Sequence, residues 1–112
     1  MKFKTMDLEQ HERFTQHLNR IRRKYATREN LGDLCMLLKS IINLSYYAGR
    51  PVANIEYYPG PNVAVVMFQS DDPRQNVMTA YVRVKEIEFR YGTSSFAKFK
   101  QPREAAQWLL NF

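Results

Sequence analysis

Six cations crowd one short stretch of this chain: Arg13, Arg20, Arg22, Arg23, Lys24 and Arg28. Basic side chains along one helix face neutralise phosphates, and each such contact releases counterions in a salt-dependent way. At roughly 100° per residue, Arg13, His17, Arg20 and Lys24 fall in one stripe, beside an apolar stripe of Phe14, Leu18, Ile21 and Tyr25. That arrangement would hold an anionic partner next to the protein's own core. Arg22 and Arg23 flank the stripe and widen the positive surface. Tyr25, or Tyr46 and Tyr47, would add rings for stacking. The competing account is ordinary helix electrostatics. Asp7, Glu9 and Glu12 lie in the first turns and the bases in the last, as the macrodipole favours, and long basic side chains cover apolar edges.

Two further sets have binding chemistry. Tyr57 and Tyr58 stand beside a stiff Pro59-Gly60-Pro61 bend, where rigid aromatics suit a partner surface. The alternative places one ring in the core and the other on its neighbours. The second set, Arg74, Arg83, Lys85, Arg90, Lys98 and Lys100, is strung along the β-rich half, with Arg83 and Tyr81 on one strand face. Glu86 and Glu88 interrupt that row, so opposed charges on a solvated face are expected there.

Catalytic patterns are poor. His11 and His17 are six apart and lie on different helix faces, not at the i, i+4 spacing of a metal pair. The single Cys35 sits in an apolar helical run, without a neighbouring base, and reads as a small buried hydrophobe. Asp71 and Asp72 fall in a turn, where Asp bends the backbone. No phosphate-binding glycine loop or nucleophile elbow is present. The expectation is therefore no enzyme, no metal and no cofactor.

The elements that must carry these residues are legible from periodicity. A first helix runs from Asp7, with Gln10 in the capping-box position, to about Arg28. A second starts near Asn30 and ends at Gly49, with Pro51 close behind. It is apolar over more than one stripe, through Leu34, Leu37, Leu38, Ile41, Ile42 and Leu44, which demands burial on more than one side, between helix 1 and a sheet or at a dimer interface. Then come β-rich runs at Val52–Tyr58, Val63–Gln69 and Val77–Val84, with turns at 59–62 and 70–76. At Lys85-Glu86 the alternation slips by one, which calls for a bulge or a strand break. A short segment at Phe96–Lys100 precedes a closing helix at Pro102, whose inward face is Ala105, Trp108, Leu109 and Phe112.

The 112 residues thus read as one compact α+β domain, covering 1–112: two N-terminal helices, an antiparallel meander of three to four strands, and a short C-terminal helix. A composition 45% hydrophobic and 25% charged is that of a globular chain, and the net charge of +6 favours anionic partners. No stretch is apolar enough to span a bilayer, and the first residues lack the apolar run of a secretory signal. A cytoplasmic setting is expected. Function is read as a small basic nucleic-acid-binding accessory protein, DNA or RNA, as a homodimer. The alternative is an inhibitor or adaptor docking on an acidic protein, with Tyr57 and Tyr58 as its apolar anchor.

Overall fold

The computed structural model describes residues 8–48, 52–69, 78–92 and 94–111. Asp7, Gly49, Pro51, the 70–76 turn with Asp71, Asp72 and Arg74, and Phe112 lie outside them, as does the side chain of Tyr47. Two helices open the chain, α1 (Leu8–Lys24) and α2 (Leu31–Ala48). Five strands follow: β1 (Val52–Tyr58), β2 (Val63–Phe68), β3 (Thr79–Arg83), β4 (Glu86–Tyr91) and β5 (Ser95–Phe99). A closing helix, α3 (Pro102–Asn111), begins on the proline that suits its first position. The α+β order is the one the pattern implies.

The sheet is an antiparallel meander in the order β1-β2-β3-β4-β5. Its fifth strand arises at the phase slip. Arg83 pairs with Glu86, and Val84-Lys85 closes a two-residue hairpin between them. Lys85 takes a φ of 65°, a left-handed conformation unusual for a side chain that is not glycine. A tight turn turns the chain back, so apolar residues fall on even positions before it and odd positions after it. A real bulge lies elsewhere, at Ala53, where the register with β2 shifts between Val52 and Asn54. The extra residue lets Val52 and Ile55, three apart, both face the core.

All three helices pack on one face of the sheet. α2 is central, touching α1, α3, β2 and β3. Leu34, Leu38, Ile41 and Ile42 are almost wholly sealed there against Val66, Ala80, Val82 and Phe89. The Phe89 ring lies 4.9 Å from that of Trp108 on α3 and also meets Phe68 and Phe99. Most of the apolar circumference of α2 is therefore satisfied within one chain. α1 buries Leu18 and Ile21, packs Phe14 against the core and sets His11 and His17 at its edges, leaving the basic side to solvent. Asn30, at a φ of 60°, reverses the chain between the helices, and its carbonyl receives the Leu34 N–H at 3.1 Å.

Two substitutions test this frame by urea denaturation. Phe89→Ala should cost about 3–5 kcal/mol, because a fully buried ring with three aromatic neighbours leaves a cavity. Lys85→Val should cost about 1–2 kcal/mol, since a β-branched residue resists positive φ, whereas Lys85→Gly should change stability by only about 0.5 kcal/mol.

Candidate functional site

The stripe side of α1 runs alongside β1. His17 Nε2 lies 3.1 Å from the Ile55 carbonyl oxygen, and since a carbonyl only accepts, that nitrogen carries the proton. The Nδ1 lone pair then faces Arg20, whose Nη2 is 3.4 Å away. The neutral Nε2–H tautomer satisfies both contacts. One turn on, the Tyr25 ring meets Tyr57 edge-on at 5.0 Å. Arg28, beyond the helix, donates to the Gly60 carbonyl at 3.0 Å and ties α1 to the β1–β2 turn.

Between these contacts lies an open groove of about 460 Å³, with His17, Arg20 and Lys24 on one wall and Ile55 to Tyr58 on the other. It adjoins a second hollow of about 600 Å³ at the same end, which shares Lys24 and Tyr25 and adds Arg28 and Asn62. The two walls differ in charge. The helix wall offers Arg20, Lys24 and Arg28, all exposed. The strand wall offers Ile55 and Tyr57, whereas the Glu56 carboxylate, on the opposite face of β1, accepts from the Tyr58 hydroxyl and from Asn54 Nδ2 at 3.2 Å.

The two tyrosines divide their duties. Tyr57 packs toward the core, and its hydroxyl donates to Asn62 Oδ1 at 2.5 Å. Burial pushes its phenol up, against the opposing charge of Arg28. Tyr58, 46% exposed, points its ring outward while its hydroxyl is held by Glu56. That hydrogen bond, then the carboxylate charge, raises its phenol. Both phenols stay neutral; the Tyr57 ring faces α1, and the Tyr58 ring lies on the other face of the sheet with Glu56.

The fold thus brings Arg20, Lys24 and Arg28 together with Tyr57, from a set separate in sequence, and turns the Tyr58 ring to the other sheet face. Arg13 lies further up the same helix stripe, its guanidinium 5.8 Å from the Phe14 ring. Arg22 and Arg23 do not join the groove. They line a shallow hollow with Gln16 and Asn19, and Arg22 lies roughly 160° round the helix from Arg20. His17 and Tyr25 complete the lining as their helical spacing implied, and Glu56 and Asn62 join it unannounced. Helical spacing already placed His17 and Tyr25 beside the cations, and the tight β1–β2 turn brings Asn62 back to Tyr57. For the apposition of α1 and β1, nearly forty residues apart, the sequence carries no local signal.

The second basic set meets a different fate. Arg83, Arg90 and Lys98 share the uncovered sheet face with Tyr81, in register with Glu88. Glu88 is only 6% exposed on that face. Arg90 Nε lies 2.9 Å from its carboxylate, Lys98 Nζ 3.5 Å and Arg83 Nη1 3.9 Å. Lys98 also reaches Glu86, and the two guanidinium groups lie 4.4 Å (Arg90) and 5.6 Å (Arg83) from the Tyr81 ring centre. Burial raises the Glu88 carboxyl, but the Arg90 hydrogen bond and the three positive charges outweigh it and hold it below its ordinary value. By contrast, none of the six cations from Arg13 to Arg28 is in an ion pair among the described residues.

The remaining reactive side chains are engaged structurally. His11 Nε2 meets Asn43 Oδ1 at 2.7 Å and its ring packs on Tyr46. Burial pushes the Cys35 thiol up, against the nearby charge of Arg22, so it stays protonated within the core. Comparison with protein-family models, curated proteins and solved structures finds no match.

The Glu88 network has a pH signature. A folded-state value below the unfolded one adds stability above about pH 4.3, the ordinary glutamate value, and the gain fades as pH falls through the folded value. Glu88→Gln should lower stability by about 1 kcal/mol at neutral pH, and its difference from wild type should close on acidification below that range, as followed by urea titration.

Proposed function

We propose that this protein is a non-enzymatic nucleic-acid-binding module whose phosphate contacts come from α1. The observation that carries the reading is the contrast between its two basic surfaces. On the sheet, Glu88 answers three cations. On α1 and just beyond it, Arg13, Arg20, Arg22, Arg23, Lys24 and Arg28 are exposed and without an acidic partner among the described residues. Uncompensated cations at that density favour a polyanion. Arg20 and Lys24 stand one turn apart, about 6 Å along the helix, so both reach one phosphate strand. Phosphate contacts position a protein without reading bases, so binding is weakly sequence-specific.

A homodimer was expected from the apolar circumference of α2. With that surface packed on α1, α3 and the sheet, the proposal takes a single chain as the binding unit.

Fluorescence anisotropy with labelled oligonucleotides tests the reading. Binding should be low-micromolar at about 50 mM salt and about a hundred-fold weaker at about 200 mM, as expected for a handful of phosphate contacts. Combining Arg20→Glu with Lys24→Glu should abolish it, with Tm shifted by only a few degrees because both side chains are exposed. Unchanged affinity in the folded double variant would sink the proposal. Absence of binding at low salt, with capture of one acidic protein instead, would establish the adaptor alternative.

A further inference from the structure

We infer that His17 is a proton-linked ligand of the α1–β1 groove: a phosphate diester of the nucleic acid seats between the His17 ring and Arg20, and the ring takes up a proton as the strand binds. This rests on the nucleic-acid reading above and names a regulation of that same site. Its basis is how the two ring nitrogens are committed. Nε2–H donates to the Ile55 carbonyl at 3.1 Å, which fixes the ring against β1. Nδ1 is turned to Arg20 Nη2, 3.4 Å away, and both residues line the groove with Lys24. In the free protein that lone pair accepts from Arg20, and the guanidinium charge opposes a second ring proton. An anion reverses the balance. A phosphate oxygen drawn in by Arg20 and Lys24 accepts from an Nδ1–H, so imidazolium and guanidinium become two charged donors on one anion. Linkage is reciprocal: a ring that protonates more readily beside phosphate binds phosphate more tightly once protonated.

The surroundings of the ring leave this balance to the cations and the incoming anion. On α1, Arg13, Arg20 and Lys24 share its stripe, with Tyr25 beyond them. From β1, Tyr57 faces the helix with a phenol that stays neutral. The Glu56 carboxylate turns to the other sheet face, where Tyr58 and Asn54 donate to it. α2 packs on the other flank of α1, where His11 meets Asn43 and Tyr46, roughly 120° round the helix from His17. No carboxylate pairs with His17 among the described residues, so its protonated form gains its counter-charge from the ligand.

The test is anisotropy of a labelled oligothymidylate on the full chain at fixed salt, at about pH 7.5 and about pH 5.5. Neither the phosphate diesters nor the bases of that probe titrate in this range. Wild type should bind about ten-fold tighter at the lower pH, the equivalent of about one pH unit of linkage. His17→Gln, whose amide still donates to the Ile55 carbonyl, should hold the pH effect to within about two-fold and bind more weakly than wild type at the lower pH. Should that variant fold poorly, NMR of the wild-type histidine rings gives the same answer. The His17 Cε1–H titration midpoint should rise by about one pH unit on adding the oligonucleotide, and that of His11 should stay. Binding by wild type that ignores pH, a pH effect retained in folded His17→Gln, or a His17 midpoint that the oligonucleotide does not raise would overturn this inference and leave phosphate binding by α1 standing. No binding at either pH, to this strand or to a duplex, at about 50 mM salt would remove both.

Discussion

The burial of α2 on several sides is the constraint from which the rest of the architecture follows. Leu34, Leu38, Ile41 and Ile42 have almost no solvent exposure, and they are covered by α1, α3 and the sheet together. Each of those residues contributes on the order of 1.5–3 kcal/mol by leaving water, so alternatives that expose α2 are strongly disfavoured. With α2 on the sheet, α1 packs against α2 and beside the outermost strand. It needs only a narrow apolar stripe, Phe14, Leu18 and Ile21, and its outward side is free to carry charge.

That placement also deals with an edge. Among the described residues β1 has a partner strand only on the β2 side, and an unpaired strand edge invites association with other chains. His17 takes the Ile55 carbonyl, Arg28 takes the Gly60 carbonyl, and Tyr25 packs on Tyr57, so the helix side closes the edge with side chains instead of backbone. Side chains fill such a boundary less completely than a strand would. The result is a groove whose helix wall is cationic because solvent-facing arginine and lysine remain there, and whose strand wall presents Ile55 and Tyr57.

Net charge alone does not distinguish the two basic surfaces. Arg83, Arg90 and Lys98 contribute to the +6 as fully as Arg20 and Lys24 do. Their field is largely cancelled by Glu88, which the antiparallel register sets directly across from Tyr81 on one side and Lys98 on the other. Cancelled charge stabilises the uncovered sheet face; uncancelled charge on α1 projects outward. A basic residue therefore bears on partners only after its acidic neighbours are known, and those neighbours come from strand pairing.

Local pattern determined a large part of this protein. Helical spacing marked α1 and α2, alternation marked β1, β2 and β3, and Pro102 marked the start of α3, because each signal lies within a few residues of its effect. The slip at Lys85 was legible as a discontinuity, yet a bulge and a tight hairpin both shift the phase by one, so the fifth strand emerged only from the pairing of Arg83 with Glu86. The cationic character of α1 was likewise written in its composition, as was the aromatic pair Tyr57 and Tyr58. What tertiary structure alone decided is that Arg20, Lys24 and Arg28 lie across one groove from Tyr57 while Tyr58 turns to the other sheet face, that Arg22 and Arg23 are turned away from that groove, and that Glu88 silences the other basic row. The reason is physical: periodicity fixes which face a residue occupies on its own element, whereas the face it meets is set by how α2 is buried, a long-range packing outcome with no short-range trace.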